Sequence, residues 1–300
     1  MAFRNIFVES PAALSVRREQ LVIRTEREAV ISLEDVNALL IESRQSTLTA
    51  AALSALAVNN CAVFFCDEKH LPCAVLEPFA QHSRSRGILE AQMDMGEPLR
   101  KRLWQSIVQA KIRNQACCLE LEGKEEGAAA LRALADRVRS GDPDNVEATA
   151  AAKYFRLLFG EGFTRGDEED GRNSALNYGY AILRGSAARY ASAYGFLPVL
   201  GLHHRSGVNP MNLADDLMEP FRPVADLLVS RHVREEDELT SPLKQLLFSS
   251  LSLDILSGKQ HHSVNYAMER LIQSLKRSLD SGKCELLQPE LLELQQHSYE

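Results

Sequence analysis

Apolar and polar positions along the chain change their period once. Up to about residue 80 the apolar residues fall in short β-branched or alternating runs, at 4–9, 13–16, 20–24, 29–32 and 38–42. Polar triplets, Arg17-Arg18-Glu19 and Glu26-Arg27-Glu28, separate some of them. Runs of this length bounded by polar breaks predict strands. Ser46 reads as the N-cap of a short helix over 47–58, since a serine hydroxyl can accept an orphan amide at a helix start. Two more strands are expected at 61–66 and 71–76, and the section closes at Pro78.

Beyond Pro78 the period becomes helical. In 97–121 the apolar residues Leu103, Ile107, Val108, Ala110, Ile112 and Ala116 form one stripe. Further helices are expected at 125–139, 145–159, 174–194, 213–233, 242–256 and 263–280, with Gly160, Gly195 and Gly258 as their C-terminal stops. The fold class is therefore α+β: a small N-terminal β-rich domain over 1–80, then a larger all-α domain over 81–300. No internal repeat is present.

Composition narrows the class. With 300 residues and 45% hydrophobic content the chain can bury its own core, so folding needs neither a metal nor a disulfide. No apolar run has the length of a membrane span. The start, Met-Ala-Phe-Arg-Asn-Ile-Phe, lacks the plan of a signal peptide, and six cysteines without framework spacing point to reduced thiols. The expectation is a cytoplasmic protein. A net charge of −7 argues against nucleic-acid binding by bulk charge and demands a local basic patch. Segment 81–115 supplies one, with seven basic residues against three acidic. Arg84, Lys101, Lys111 and Arg113 are its candidate phosphate contacts, and Asn114, Gln115, Asn173, Asn177 and Tyr178 are neutral candidates. The competing reading is an ordinary solvated helix face.

The densest chemistry lies in the helical half. Glu147 falls in the first turn of a helix capped by Asp144 or Asn145. His203 and His204 follow the apolar turn 197–202, and Glu219 lies fifteen residues after His204. Asp215, Asp216 and Glu219 are neighbours on a helix, and crowded carboxylates are most simply stabilised by a divalent cation. One imidazole with two or three carboxylates suits Mg²⁺ or Mn²⁺. The competing reading is an acidic helix start beside helix-terminal histidines. Pro220 and Pro223 put Glu219 at a helix start or kink. Cys61, Cys66, His70 and Cys73 invite a zinc reading, but Cys61 and Cys66 lie five apart on one strand and point to opposite faces. His261-His262 reads as surface and Cys117-Cys118 as helix packing.

The segments LWQSIVQAKIRNQA (103–116), DPDNVEATAAAKYFRLLFG (142–160), NSALNYGYAILRG (173–185) and YGFLPVLGLHHRSGVNPMNLADDLMEPFRPVAD (194–226) carry a resemblance. In that order the chain resembles the CRISPR adaptation integrase family, the first-numbered CRISPR-associated proteins, and especially members that accompany a single RNA-guided effector nuclease. The resemblance implies one divalent metal on Glu147, His204 and Glu219, which would be the catalytic residues. It implies a metal-dependent endonuclease and integrase, inserting short fragments as new spacers by 3′-hydroxyl attack at repeat ends. Its implied partners are duplex DNA with single-stranded 3′ ends, CRISPR repeat DNA, a second copy of the chain, and the small second Cas protein in a hetero-hexamer. The effector nuclease is a further candidate partner. Some members use an aromatic wedge at the duplex end; here the first tyrosine is Tyr154, which leaves Phe3, Phe7, Phe64, Phe65 or His70 for that role. The alternatives are a related nuclease or transposase-like enzyme outside CRISPR, and a non-catalytic DNA-binding scaffold.

Overall fold

The computed structural model describes residues 4–77 and 85–298. The N-terminal part holds β1 (Arg4–Val8), β2 (Ala13–Arg17), β3 (Gln20–Arg24), β4 (Glu28–Ser32), β5 (Val36–Ile41), β6 (Thr47–Leu48), α1 (Ala50–Val58), β7 (Ala62–Cys66) and β8 (Pro72–Val75). They form two sheets, ordered β1-β5-β7-β8 and β4-β3-β2-β6. In the first, β1, β5 and β7 run parallel and β8 is antiparallel to β7. Strand β5 is buried along its whole length. Its alternate residues serve two cores: Leu39 and Ile41 pack inside the β domain, Ala38 and Leu40 against the helices. A parallel strand covered on both faces reads as a continuous apolar run. Cys61 and Cys66 divide between the same two cores.

The expected cap at Ser46 is displaced. Thr49 caps α1, its Oγ1 accepting from the Ala52 N–H at 3.1 Å. Ser46 Oγ instead accepts from the Ala12 N–H, and Thr47–Leu48 pair with β2. Strand pairing took the residues that would have opened the helix. Pro78, where the domain boundary was expected, and Arg84 and Phe3 lie outside the described residues.

The second part runs through α2 (Ser85–Met93), α3 (Glu97–Leu121), α4 (Glu125–Arg137), α5 (Val146–Phe159), α6 (Gly171–Ala193), α7 (Asn212–Met218), a 3-10 turn (Glu219–Phe221), α8 (Arg222–His232), α9 (Ser241–Phe248), β9 (Leu253–Ser257), β10 (Gln260–Ser263), α10 (Val264–Ser281) and β11 (Pro289–Gln296). It is mostly helical but not all-α: β10, β9 and β11 form a three-stranded antiparallel sheet. The helix expected over 242–256 stops at Phe248, and Leu253 and Ile255 are buried along a strand. Gly258 accordingly ends a strand, not a helix. Gly258 and Lys259 have φ of +60° and +67°, the conformation a two-residue hairpin turn needs.

The two parts share one apolar core. Phe64 of β7 lies against Gly185 of α6, where an added Cβ would stand 2.4 Å from the ring, and edge-on to Phe248 of α9 at 6.0 Å. Polar groups cross the same junction in pairs. Lys244 Nζ meets Glu42 Oε1 at 2.6 Å with both side chains buried, and the Asn37 amide donates to Asn5 Oδ1 at 2.8 Å while Asn37 Oδ1 accepts from Asn265.

A buried pair is expensive to break from one side, because the survivor stays charged in the core. Lys244→Ala is expected to lower stability by about 3 kcal/mol in a urea melt, and the double change Glu42→Leu/Lys244→Met to recover most of it. Equal losses in both variants would mean that packing, not charge pairing, holds the junction.

Candidate metal centre

Helix α3 supplies the floor of the site. Gly96 precedes it and Pro98 sits in its first turn, where the missing N–H costs nothing. One face of α3 carries Trp104, Lys111, Asn114 and Gln115, all buried. Lys111 is the centre of the arrangement. Its Nζ lies 2.6 Å from Glu147 Oε1 and 2.6 Å from Glu219 Oε2. This corrects the expectation that Lys111 faces DNA phosphate: a buried ammonium needs counter-charges, and two carboxylates supply them.

Glu147 is held through its own backbone. Neither Asp144 nor Asn145 caps α5: Asp144 pairs with Arg139, and Asn145 is left-handed at φ +51° with no side-chain cap bond. The buried Asp142 does the work, its two oxygens accepting from the N–H groups of Val146 at 2.9 Å and Glu147 at 3.0 Å. Glu219 lies at the junction of α7 and the 3-10 turn, the kink that Pro220 and Pro223 imply. Burial alone would raise its pKa; Lys111 and Arg222 overcome that and hold the carboxyl at about 2. Arg222 Nη1 donates to Glu219 Oε1 at 2.9 Å. Glu219 Oε2 faces the Lys111 ammonium.

His204 belongs to a separately built turn. The Asp216 carboxylate, fully buried, accepts from the N–H groups of Leu202, His203 and His204 at 2.5, 3.0 and 3.2 Å, and lies 2.7 Å from His204 Nδ1. The turn needs Gly201: a Cβ there would fall 2.3 Å from the His204 carbonyl oxygen and 2.8 Å from Asp216 Oδ2. The hydrogen bond to Asp216 raises the His204 pKa, against burial, with Glu219 and Asp215 adding to the rise. His203 points elsewhere, stacked on Trp104 with ring centroids 4.3 Å apart and planes 5° from parallel.

The acidic trio expected to crowd one cation therefore divides. Asp215 pairs with Arg184 at 2.7 Å, Asp216 orders the histidine turn, and only Glu219 joins Glu147. Among the described residues no three His, Cys, Asp or Glu side chains converge as they stand on one point, because Lys111 occupies the space between the glutamates. The donor set nevertheless fits a hard divalent ion. Two carboxylates already converge on one positive charge, and Asp216 leaves Nε2 of His204 as the available nitrogen.

The other expected contacts scatter. Lys101 and Arg113 are exposed and paired with Glu97 at 2.8 Å and Asp136 at 3.2 Å. Asn177 is exposed and accepts from Arg165 at 2.8 Å. Tyr178 is buried, and its hydroxyl has no hydrogen-bond partner among the described residues. Of the wedge candidates, Phe64 is core, Phe7 and Phe65 pack against core, and His70 is half exposed. His261 is exposed, as expected, and lies 2.5 Å from Asp254 across the β9–β10 pair. Sequence reasoning missed the supporting roles of Asp142 and Gly201. An Asp preceding Val-Glu by four and five residues, and a Gly directly before Leu-His-His, were the available signals.

Behind Glu219 a buried chain continues. Arg222 lies over the Tyr180 ring at 4.0 Å, and Asp226 accepts from the hydroxyls of Tyr180 and of Tyr154, the latter at 3.0 Å. Burial pushes Asp226 up to about 6 despite those bonds.

A strand-rich N-terminal part followed by a mostly helical part with this arrangement defines a recognisable class. The sequence model of the family described as CRISPR associated protein Cas1 matches residues 6–241. The CRISPR-associated endonuclease Cas1 of Neisseria meningitidis serogroup C (strain 8013) is 44% identical, covering 100% of both chains. Among solved structures, a casposase bound to integration product superposes with a TM-score of 0.75 at 20% identity, over 95% of this chain and 92% of that one. A Cas6-RT-Cas1–Cas2 complex does so with a TM-score of 0.69 at 18% identity, over 95% of this chain and 36% of that one. The chain belongs to the Cas1 family.

Two titrations check the electrostatics. Asp216→Asn is expected to bring the His204 pKa down toward the ordinary imidazole range, followed by NMR of the ring protons; an unchanged titration would show that Asp216 is not the cause. Because His204 is raised, its pairing contributes stability below the ordinary imidazole pKa and loses it as pH rises through the raised value. Asp226 is also raised, so folding is favoured below about pH 4 and penalised as pH rises through about 6. The Tm of Asp226→Asn relative to wild type should therefore climb between those values, and a flat difference would overturn the assignment.

Proposed function

We propose that this chain, a Cas1-family endonuclease and integrase of CRISPR adaptation, works through one Mg²⁺ or Mn²⁺ held by Glu147, His204 and Glu219. The observation that carries the reading is the convergence of Glu147 and Glu219 on a single positive charge beside a histidine turn held by Asp216. When bound, such an ion polarises a phosphoryl oxygen and lowers the pKa of a water or sugar hydroxyl for in-line attack. The chain's own residues do the rest. Asp216 fixes the ring of His204 and leaves Nε2 for the ion. Glu219 stays ionised because Lys111 and Arg222 hold its pKa down. Lys111 bridges the two glutamates, on whose carboxylates the ion would be held.

The substrates on this reading are duplex DNA with single-stranded 3′ ends and CRISPR repeat DNA, joined by 3′-hydroxyl attack. Phosphate contacts come from exposed basic residues, Lys101 and Arg113 among the described ones, with Asn177 as a neutral contact. The assembly is a homodimer joined by Cas2 into a hetero-hexamer, with the effector nuclease as a further partner, in the cytoplasm. Likeness to a Cas1–Cas2 complex supports the partnership, and no helix among the described residues is long and apolar enough to cross a membrane.

The test is an integration assay with a short fluorescent duplex and a repeat-bearing plasmid, with and without the Cas2 partner. Joined product should require both a divalent metal and a free 3′-hydroxyl. His204→Ala and Glu147→Ala should each reduce cleavage and joining to near background, whereas His203→Ala should keep activity within about tenfold of wild type. An inactive His203→Ala beside an active His204→Ala would reverse the assignment. EDTA should abolish activity yet leave the helical circular dichroism signal, since the core does not depend on the ion. Removing Lys101 and Arg113 together should weaken DNA binding for all sequences alike and flatten its salt dependence; an unchanged slope would move the DNA path elsewhere.

A further inference from the structure

One buried polar side chain outside the proposed mechanism ties three distant segments together at the site. Asn114 lies three residues after Lys111, on the same face of α3, and is 3% exposed. Its Nδ2 donates to the Pro220 carbonyl at 2.7 Å and to the Pro289 carbonyl at 3.0 Å. Its Oδ1 accepts from the Leu291 N–H at 3.0 Å. Pro220 is the residue next to Glu219, and Pro289 and Leu291 belong to β11.

The Pro220 carbonyl has a particular need for this partner. In a 3-10 turn it would accept from the N–H three residues on, but residue 223 is a proline and has none. The two prolines that bend the chain at Glu219 thus remove the backbone donor that would normally stiffen the bend. Asn114 replaces it from outside, and its other two bonds are fixed by β11. The neighbouring Cys117 Sγ also donates to the Leu291 carbonyl at 3.2 Å, so β11 is held along α3 at this point.

We infer that Asn114 is a positioning residue for Glu219, and that the C-terminal strand β11 is the outer brace of the metal site. The inference rests on the proposed role of Glu219 as a metal ligand. Without the Nδ2 donors, two buried carbonyls lose their partner and the Glu219–Pro220 bend relaxes. The carboxylate then leaves its place between Lys111 and Arg222.

The test uses full-length protein and Mn²⁺ alone, titrated by electron paramagnetic resonance, beside thermal melts. Four proteins are compared: wild type, Glu219→Gln, Asn114→Asp and Arg231→Ala. Asn114→Asp keeps the shape and the acceptor but removes both donors, and should weaken Mn²⁺ binding about 10- to 100-fold. Arg231→Ala cuts a different tie of β11, the Arg231–Glu293 pair, without touching Pro220. It should lower the Tm while keeping Mn²⁺ affinity within about twofold of wild type. A wild-type affinity in Asn114→Asp overturns the inference, as do equal affinity losses in Asn114→Asp and Arg231→Ala, which would signal general loosening. A wild type that binds no Mn²⁺, or a Glu219→Gln that binds like wild type, overturns the metal reading itself and the inference with it. If Asn114→Asp does not fold, Asn114→Ser is held to the same thresholds.

Discussion

An ammonium buried between two carboxylates sets the terms for the catalytic half of this protein. Lys111, Glu147 and Glu219 come from α3, from α5 and from the bend between α7 and α8. Charges taken out of water are tolerated only with close partners, so those three elements must meet within hydrogen-bond distance or not pack at all. The demand propagates. Glu219 also takes Arg222, Arg222 lies on Tyr180, and Tyr180 shares Asp226 with Tyr154. A polar chain thus runs from the site into a core that is otherwise apolar.

The two halves of the proposed metal centre are prepared differently. The histidine half is rigid by construction, since Asp216 satisfies three successive backbone N–H groups as well as the ring, and Gly201 admits the close approach. The glutamate half is held differently, by convergence of both carboxylates on the buried Lys111 ammonium.

Charge is handled locally across the surface as well. The basic stripe over 81–115 is largely answered by neighbours: Arg86 by Glu90, Lys101 by Glu97, Arg113 by Asp136. Exposed pairs of this kind contribute little to stability. They also leave a smaller free positive patch among the described residues than the count of basic residues suggests.

The sequence by itself determined the change of period near residue 80, most of the N-terminal strands and most of the later helices. These are local properties: spacing of apolar residues, polar breaks between runs, a proline at a helix start. What only the tertiary structure decided is which way the polar groups point. The strand Leu253–Ser257 lies where a helix was expected, because its partners, β10 and β11, are supplied by later residues. Asp215 and Asp216 look like equal cation ligands until Arg184 and the turn at 202–204 are brought to them. Lys111 and Tyr178 read as DNA contacts until packing buries them. Sequence spacing records which groups a segment carries; whether each faces solvent, an ion or another side chain depends on what the rest of the chain sets opposite it.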